Sequence, residues 1–137
     1  YRRVRLTMDK APAAARTRLL LRAAGLQDEF ACIQALSPLP SILDAMRPTT
    51  GYDDVKTIAI ARLAAPNIPT VQVDWLRYGP KLAQVALTFG ADDVDNVTAS
   101  DDAPDGARRA PLADVRRNIE AAGFEPAERD GHFARIG

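Results

Sequence analysis

The sequence has very little of the residues on which most metal and redox sites depend. Among 137 residues there is one cysteine, Cys32, and one histidine, His132. A single thiol excludes an internal disulfide and cannot by itself supply a four-thiolate cluster or zinc site. The sequence has one histidine, no serine elbow and no H-E-x-x-H motif, so it lacks the residues that a catalytic triad or a zinc hydrolase requires. We therefore assign no metal site and no catalytic residue to the chain itself.

Net charge and long apolar runs are absent as well. Eighteen basic side chains balance eighteen acidic ones, so no net field attracts nucleic acid or an anionic membrane surface. The apolar stretches are interrupted well before the roughly 20 residues that a membrane span requires. No hydrophobic signal segment follows the basic residues 1–5. We expect a cytoplasmic protein that binds neither nucleic acid nor membrane.

Strand and helix periods alternate along the chain. Residues 4–8 and 70–75 alternate apolar and polar side chains, which indicates strands with one buried face. Residues 30–36 and 92–97 predict two further short strands. Helical spacing separates these segments, most clearly between Pro80 and Gly90. The order is strand then helix four times, followed by a candidate C-terminal hairpin around Asp130-Gly131, and it predicts an α/β fold with a parallel sheet.

Two architectures fit this alternation. A doubly wound sheet would be complete at this length, whereas a (β/α)8 barrel of the TIM type, with roughly 250 residues, would be half present. Periodicity does not choose between them. The absence of a glycine-rich phosphate loop counts against a nucleotide-binding doubly wound sheet.

Five side chains at the ends of the predicted strands are candidates for a binding site. Both architectures place their active sites at the carboxyl ends of parallel strands. Each candidate also has a structural interpretation. Trp75 could pack in the core, Asp74 could pair with Arg77, and the acids of residues 92–96 could cap the following segment or be hydrated. The candidates are Gln34, Asp74, Trp75, Asp93 and Asp95.

Residues 57–95, read as TIAIARLAAPNIPTVQVDWLRYGPKLAQVALTFGADDVD, resemble the C-terminal part of the aminofutalosine synthase family. Similar features are a P-N-I step at residues 66–68, a strand ending in Trp75, a K-L-A-Q-V-A-L helix at residues 81–87, and F-G-A-D-D-x-D at residues 89–95. The resemblance extends over residues 12–130. It implies that residues 1–137 are one partial domain, the C-terminal half of a radical S-adenosylmethionine β/α barrel.

The resemblance also implies a reaction and its cofactors. In such an enzyme the N-terminal half-barrel, which is missing here, holds a [4Fe-4S] cluster and S-adenosylmethionine. The implied reaction adds a 5'-deoxyadenosyl radical to 3-[(1-carboxyvinyl)oxy]benzoate and forms 6-amino-6-deoxyfutalosine in menaquinone biosynthesis. This chain alone is expected to hold no cofactor and to be inactive. The five candidate residues would bind and orient the substrate.

Two related reactions and one non-catalytic arrangement are alternatives to the aminofutalosine synthase reaction. Cyclic dehypoxanthinyl futalosine synthase and the deazaflavin FO synthase share the implied architecture. An alternative from another class is a non-catalytic half-barrel that self-associates through exposed sheet edges. One departure from the family pattern concerns residues 7–10, which read T-M-D-K where the family usually has G-H-x-E. Ligand contacts expected from that loop are therefore in doubt.

Overall fold

Strands and helices alternate along the chain in the predicted order. The computed structural model describes residues 4–9, 11–40, 46, 50–97 and 112–137. The strands are β1 (Val4–Met8), β2 (Ile33–Pro38), β3 (Thr70–Asp74), β4 (Asp93–Asp95), β5 (Glu128–Arg129) and β6 (Arg135–Ile136). The helices are α1 (Ala13–Phe30), α2 (Gly51–Ala64), α3 (Trp75–Tyr78), α4 (Pro80–Thr88) and α5 (Leu112–Ala121).

The main sheet follows the order of the sequence. Within the described residues, β1, β2, β3 and β4 are parallel and each is hydrogen-bonded to the next. The longer helices follow the same order, since α1 contacts α2, α2 contacts α4 and α4 contacts α5. A doubly wound sheet would reverse its strand order at a switch point. The progression is that of consecutive β/α units, so the fold is α/β and consistent with half of a (β/α)8 barrel.

The hydrophobic core lies between the helices and one face of the sheet. Leu36, Val71 and Val73 point from the strands into a cluster that includes Leu20 of α1 and Ile58 of α2. All five side chains are almost completely buried. Because side chains alternate across a strand, the opposite face receives the polar residues of the same segments. The helix layer therefore leaves the polar face of the sheet uncovered by this core.

The boundary between the first helix and β2 differs from the predicted one. The strand predicted to begin at Phe30 begins at Ile33, because α1 continues through Phe30 and ends at Ala31 in a left-handed conformation with φ of 49°. The second helix begins with a side-chain cap. Thr50 and Asp53 form a reciprocal capping box, in which each side chain accepts from the backbone N–H of the other.

The strand ends near the candidate site also differ slightly from the prediction. β3 stops at Asp74, because its carboxylate accepts a hydrogen bond from the Arg77 N–H and caps the short helix α3. Trp75 is thus the first residue of a helix and not the last of a strand. β4 is shorter than predicted and begins at Asp93, since the side chain of Asp92 bonds to the Val71 N–H.

The C-terminal segment forms the predicted hairpin. β5 and β6 pair antiparallel, with Arg129 opposite Arg135. The carboxylate of Asp130 accepts hydrogen bonds from the N–H groups of His132 and Ala134 at 2.8 and 2.9 Å, which fixes the turn. The polar loop predicted at residues 98–109 lies outside the described residues. No helix in the described ranges combines the length and apolar character needed to cross a lipid bilayer.

Candidate functional site

The polar face of the sheet gathers carboxylates and an amide from neighbouring strands. β3 pairs with β4 so that Gln72 lies beside Asp93 and Asp74 beside Asp95, which puts all four side chains on one face. The Gln72 side chain is almost fully buried, at 1% exposed. A buried amide requires hydrogen-bond partners within the fold. In a closed barrel this face lines the interior.

Five side chains on this face form a closed ring of hydrogen bonds, named here the polar ring: Arg5, Gln72, Asp93, Asp95 and Arg129. Arg129 pairs with Asp93 through two bonds, Nε to Oδ1 at 2.5 Å and Nη2 to Oδ2 at 2.7 Å. Gln72 Nε2 donates to Asp93 Oδ2 at 2.7 Å, and Arg5 Nη1 donates to Asp95 Oδ2 at 2.6 Å. Longer contacts of 3.4 Å from Arg129 to Asp95 and 3.5 Å from Arg5 to Gln72 close the ring. The short bonds define its geometry, since contacts near 3.5 Å are weak.

The polar ring shows that this face is concave. Arg5 lies on β1 and Asp95 on β4, which are the two outer strands of the main sheet in the described residues. Neighbouring strands are about 4.8 Å apart, so a flat sheet would separate these strands by about 14 Å. Curvature of the sheet and the length of the arginine side chain together allow direct contact.

Opposite charges balance within the ring. Two guanidinium groups face two carboxylates, and the Arg129–Asp93 pair is the least exposed, with 22% and 12% of the side chains accessible. The hydrogen bonds that Arg129 donates to Asp93 raise the pKa of Arg129 above its ordinary value. The arginine therefore stays charged at any working pH. Because both oxygens of Asp93 are occupied, the arrangement is suited to orienting a polar ligand and not to transferring a proton.

Asp74 lies at the carboxyl end of β3 in a different set of contacts. Besides capping α3, it accepts from Asn96 Nδ2 at 3.2 and 3.3 Å. Arg77 points away from Asp74 and donates from Nη2 to the Pro40 carbonyl at 2.9 Å, with Asp9 at 3.4 Å. Asp74 and Asn96 thus form a small polar rim above the ring, at the strand ends where β/α enzymes bind substrates.

The remaining two candidates lie apart from the polar ring. Trp75 is 3% exposed and packs in the hydrophobic core with Tyr78. Gln34 is half-buried in β2, at the point where the register of the β1–β2 pair shifts. No hydrogen bond joins the Gln34 side chain to another part of the described chain. The structure therefore brings together Asp93 and Asp95, places Asp74 nearby, and separates Trp75 and Gln34 from them.

Asp92, the first acid of the acidic run, faces the helices. Its carboxylate accepts from the Val71 N–H at 2.8 Å and pairs with Arg62 Nη2 at 2.9 Å. Arg62 in turn donates from Nε to the Gly90 carbonyl at 2.8 Å. These bonds connect α2, β3 and the turn that precedes β4. Asp92 therefore has a structural role, which distinguishes it from the two acids that follow.

A cavity of about 680 Å³ lies between β4, α5 and the hairpin. Its walls include Val115, Ile119 and Phe124 on the apolar side, with Asp93 and Arg129 on the polar side. The cavity runs beside the outer edge of β4. An outer strand of a parallel sheet presents backbone groups that can pair with another strand.

The residues of this chain do not fit an iron–sulfur cluster. Such clusters are held by several thiolates, and the sequence contains only Cys32, which is half-buried. Among the described residues, no group of three His, Cys, Asp or Glu side chains is placed to hold a metal ion.

Sequence reasoning missed three members of the polar ring. Gln72 shares the strand parity of Asp74, so the alternation in residues 70–75 already put both on one face. Arg5 also alternates with apolar residues in its strand. Arg129 carries no such signal, because it reaches the ring from a separate hairpin.

The chain matches one family model and several known proteins. The family model described as CofH/MqnC C-terminal region matches residues 25–135. The chain is 33% identical to aminodeoxyfutalosine synthase of Streptomyces coelicolor over 138 aligned residues, which cover 83% of this chain and 35% of the relative. It is 36% identical to 5-amino-6-(D-ribitylamino)uracil--L-tyrosine 4-hydroxyphenyl transferase of Archaeoglobus fulgidus over 118 residues, covering 77% and 34%. An aminodeoxyfutalosine synthase of Thermus thermophilus is 36% identical over 96 residues, covering 64% and 25%. The chain thus spans between a quarter and about a third of the length of these relatives.

Proposed function

This chain belongs to the CofH/MqnC C-terminal region family, and from that premise we propose that it forms the substrate-binding half of a radical S-adenosylmethionine enzyme. The proposed reaction adds the 5'-deoxyadenosyl group to 3-[(1-carboxyvinyl)oxy]benzoate, and rearrangement with loss of carbon dioxide then yields 6-amino-6-deoxyfutalosine for menaquinone biosynthesis. The S-adenosylmethionine and [4Fe-4S] chemistry belongs to the other half of the barrel. The polar ring carries this proposal, because it lies on the sheet face that becomes the barrel interior.

The role we propose for this half is binding and orientation. Asp93 and Asp95 are held in fixed directions by the ring, and Asp74 lies at the adjacent strand end. Preorganised polar groups of this kind lower the cost of placing a substrate beside a reactive centre. Trp75 stays in the proposal as a predicted substrate contact because it directly follows the carboxyl end of β3. Gln34 stays as a prediction from the sequence alone, since it is the second residue of β2 and lies at the amino end of that strand.

The partner we propose is an N-terminal half-barrel that pairs with the free edges of β1 and β4. The cavity between β4, α5 and the hairpin gives an extended segment room to approach β4. The matched relatives are about three or more times longer than the aligned region. Self-association through the same edges is the competing arrangement. It predicts a symmetric oligomer of this chain that an added half-barrel fails to dissociate.

A second candidate reaction follows from the Archaeoglobus fulgidus relative. That protein is named for transfer of a 4-hydroxyphenyl group between tyrosine and 5-amino-6-(D-ribitylamino)uracil, and its identity to this chain is 36%. The corresponding value for the Streptomyces coelicolor relative is 33%. Since the two values are so close, the substrate pair must be decided by assay.

A chimaera tests the proposed reaction. This chain would replace the matching region of the Streptomyces coelicolor relative, and the purified protein would be reconstituted with iron and sulfide. We expect 6-amino-6-deoxyfutalosine from S-adenosylmethionine and 3-[(1-carboxyvinyl)oxy]benzoate, detected by mass spectrometry. Product only from tyrosine and 5-amino-6-(D-ribitylamino)uracil would favour the second candidate. A chimaera that cleaves S-adenosylmethionine but converts neither substrate would contradict both.

The chain on its own is expected to show no iron–sulfur absorbance after anaerobic reconstitution and no cleavage of S-adenosylmethionine. Cluster assembly needs several thiolates, and Cys32 supplies one. Visible absorbance and release of 5'-deoxyadenosine are the two measurements. Cys32→Ser is the control variant and should leave both at background. Turnover by the isolated chain would show that the cofactor half is not required.

A further inference from the structure

The C-terminal hairpin is attached to the candidate site by charged side chains. Neighbouring residues of β5 reach in different directions, since Glu128 pairs with Arg116 of α5 and Arg129 pairs with Asp93 of β4. The hairpin strands themselves are only two residues long. Two strands of that length cannot hold a fixed position by their own pairing. Their contacts with α5 and β4 therefore determine where the hairpin lies.

Arg129 is fixed on three sides. Its Nε and Nη2 atoms form the two short bonds to Asp93, and Nη2 also faces Asp95 Oδ1 at 3.4 Å. The Phe133 ring lies under the guanidinium, 4.2 Å from its central carbon to the ring centroid. The guanidinium group forms two hydrogen bonds with one carboxylate and stacks on an aromatic ring. It therefore has little rotational freedom.

The two aspartates need such a partner. Asp93 and Asp95 are two residues apart on one strand and point to the same face, where like charges repel each other. Without Arg129, and counting the described residues alone, Asp93 would keep the side-chain bond from Gln72 and Asp95 the bond from Arg5. Each carboxylate could then turn toward solvent. The hairpin thus supplies the group that holds both acids in one arrangement.

We propose that Arg129 is a positioning residue of the substrate-binding face, which makes the C-terminal hairpin part of the functional site. Arg129 acts through Asp93 and Asp95 and does not itself contact the substrate. The inference rests on the proposed function for the meaning of the site, but the arrangement it describes can be measured without turnover. The two carboxylates would face hydrogen-bond donors, which the hydroxyl and amino groups of S-adenosylmethionine offer and the two carboxylates of 3-[(1-carboxyvinyl)oxy]benzoate do not.

The test compares Arg129→Gln, Arg129→Lys and Arg135→Gln in the assembled enzyme, in which this chain is joined to an N-terminal half-barrel. Arg135 is the matched control, because it lies opposite Arg129 in the same hairpin, is exposed and forms no ion pair within the described residues. We expect Arg129→Gln to raise the KM for S-adenosylmethionine about tenfold or more, with a smaller change in kcat per folded enzyme. Arg129→Lys should raise the KM less than Arg129→Gln does, since lysine keeps the positive charge but cannot form the two parallel hydrogen bonds of a guanidinium group. Arg135→Gln should match the parent.

A readout independent of turnover is the carbon-13 signal of the two aspartate carboxylates. We expect both signals to shift or broaden in Arg129→Gln and to stay in place in Arg135→Gln. Unchanged carboxylate signals in Arg129→Gln would overturn the inference whether or not the enzyme is active. An unchanged KM together with a lower melting temperature would also overturn it, because the hairpin would then serve stability alone. Failure of the parent enzyme to convert the substrate would count against the proposed reaction. The carboxylate signals would then still test whether Arg129 positions Asp93 and Asp95.

Discussion

Replacing Trp75 with alanine is expected to lower the free energy of unfolding by about 3–5 kcal/mol, the usual cost of removing a buried aromatic side chain. Trp75 is 3% exposed and belongs to the core between the helices and the sheet. Its removal would leave a cavity beside Tyr78, whose hydroxyl donates to the Pro38 carbonyl at 2.7 Å. Urea unfolding followed by circular dichroism measures the effect without depending on tryptophan fluorescence.

Trp75→Phe separates packing from ligand contact. Phenylalanine keeps one aromatic ring, so we expect a smaller loss of about 1–2 kcal/mol. Substrate affinity should be unchanged in this variant if Trp75 serves the core alone. A fall in affinity with little change in stability would instead support the predicted substrate contact. A Trp75→Ala variant as stable as the parent would contradict the burial described above.

Replacing Gly90 with alanine is expected to lower the free energy of unfolding by about 2–4 kcal/mol, from backbone strain and overpacking together. Gly90 has φ of +122°, a region that residues with a side chain rarely adopt. A β-carbon at this position would lie 2.9 Å from the Arg62 β-carbon. Displacing Arg62 would also disturb its bonds to the Gly90 carbonyl and to Asp92. Thermal and urea unfolding measure the loss.

Gly25→Ala is the matched control for Gly90→Ala. Gly25 lies inside α1, where an added β-carbon would meet no atom within 4 Å. Alanine in a helix interior is more stable than glycine by about 0.5–1 kcal/mol, so this variant should be slightly more stable than the parent. Equal stability of the Gly25 and Gly90 variants would show that the glycine of the F-G-A-D-D motif is not conformationally required.

The fold was predictable from local patterns because each pattern has a local cause. Alternation in residues 4–8 and 70–74 reflects strands with one buried face, and the Thr50 cap lies within one helical turn of its partner Asp53. The choice between a half-barrel and a doubly wound sheet depends on which strands become neighbours. Strand order is a property of the whole sheet, so it required the structure.

The candidate site was predictable only in part for the same reason. Asp93 and Asp95 were predicted because they lie at the end of a predicted strand, and the structure puts both side chains on one face. The charge that balances them comes from Arg5 and Arg129, at opposite ends of the sequence. Periodicity within a segment contains no information about such partners. Trp75 shows that a residue near a strand end need not face the candidate site. A helix begins at Trp75, and its side chain packs in the core.

The polar ring also bears on the order in which the chain folds. Arg5 and Asp95 are 90 residues apart in sequence, and Asp93 and Arg129 are 36 apart. Contacts between such distant residues carry a large loop-closure entropy and form after the local β/α units have assembled. Interactions made after the transition state affect the unfolding rate far more than the folding rate. We therefore expect the ring to contribute mainly to the lifetime of the folded state, by joining Arg5 and Arg129, near opposite ends of the described chain, to the outer strand β4.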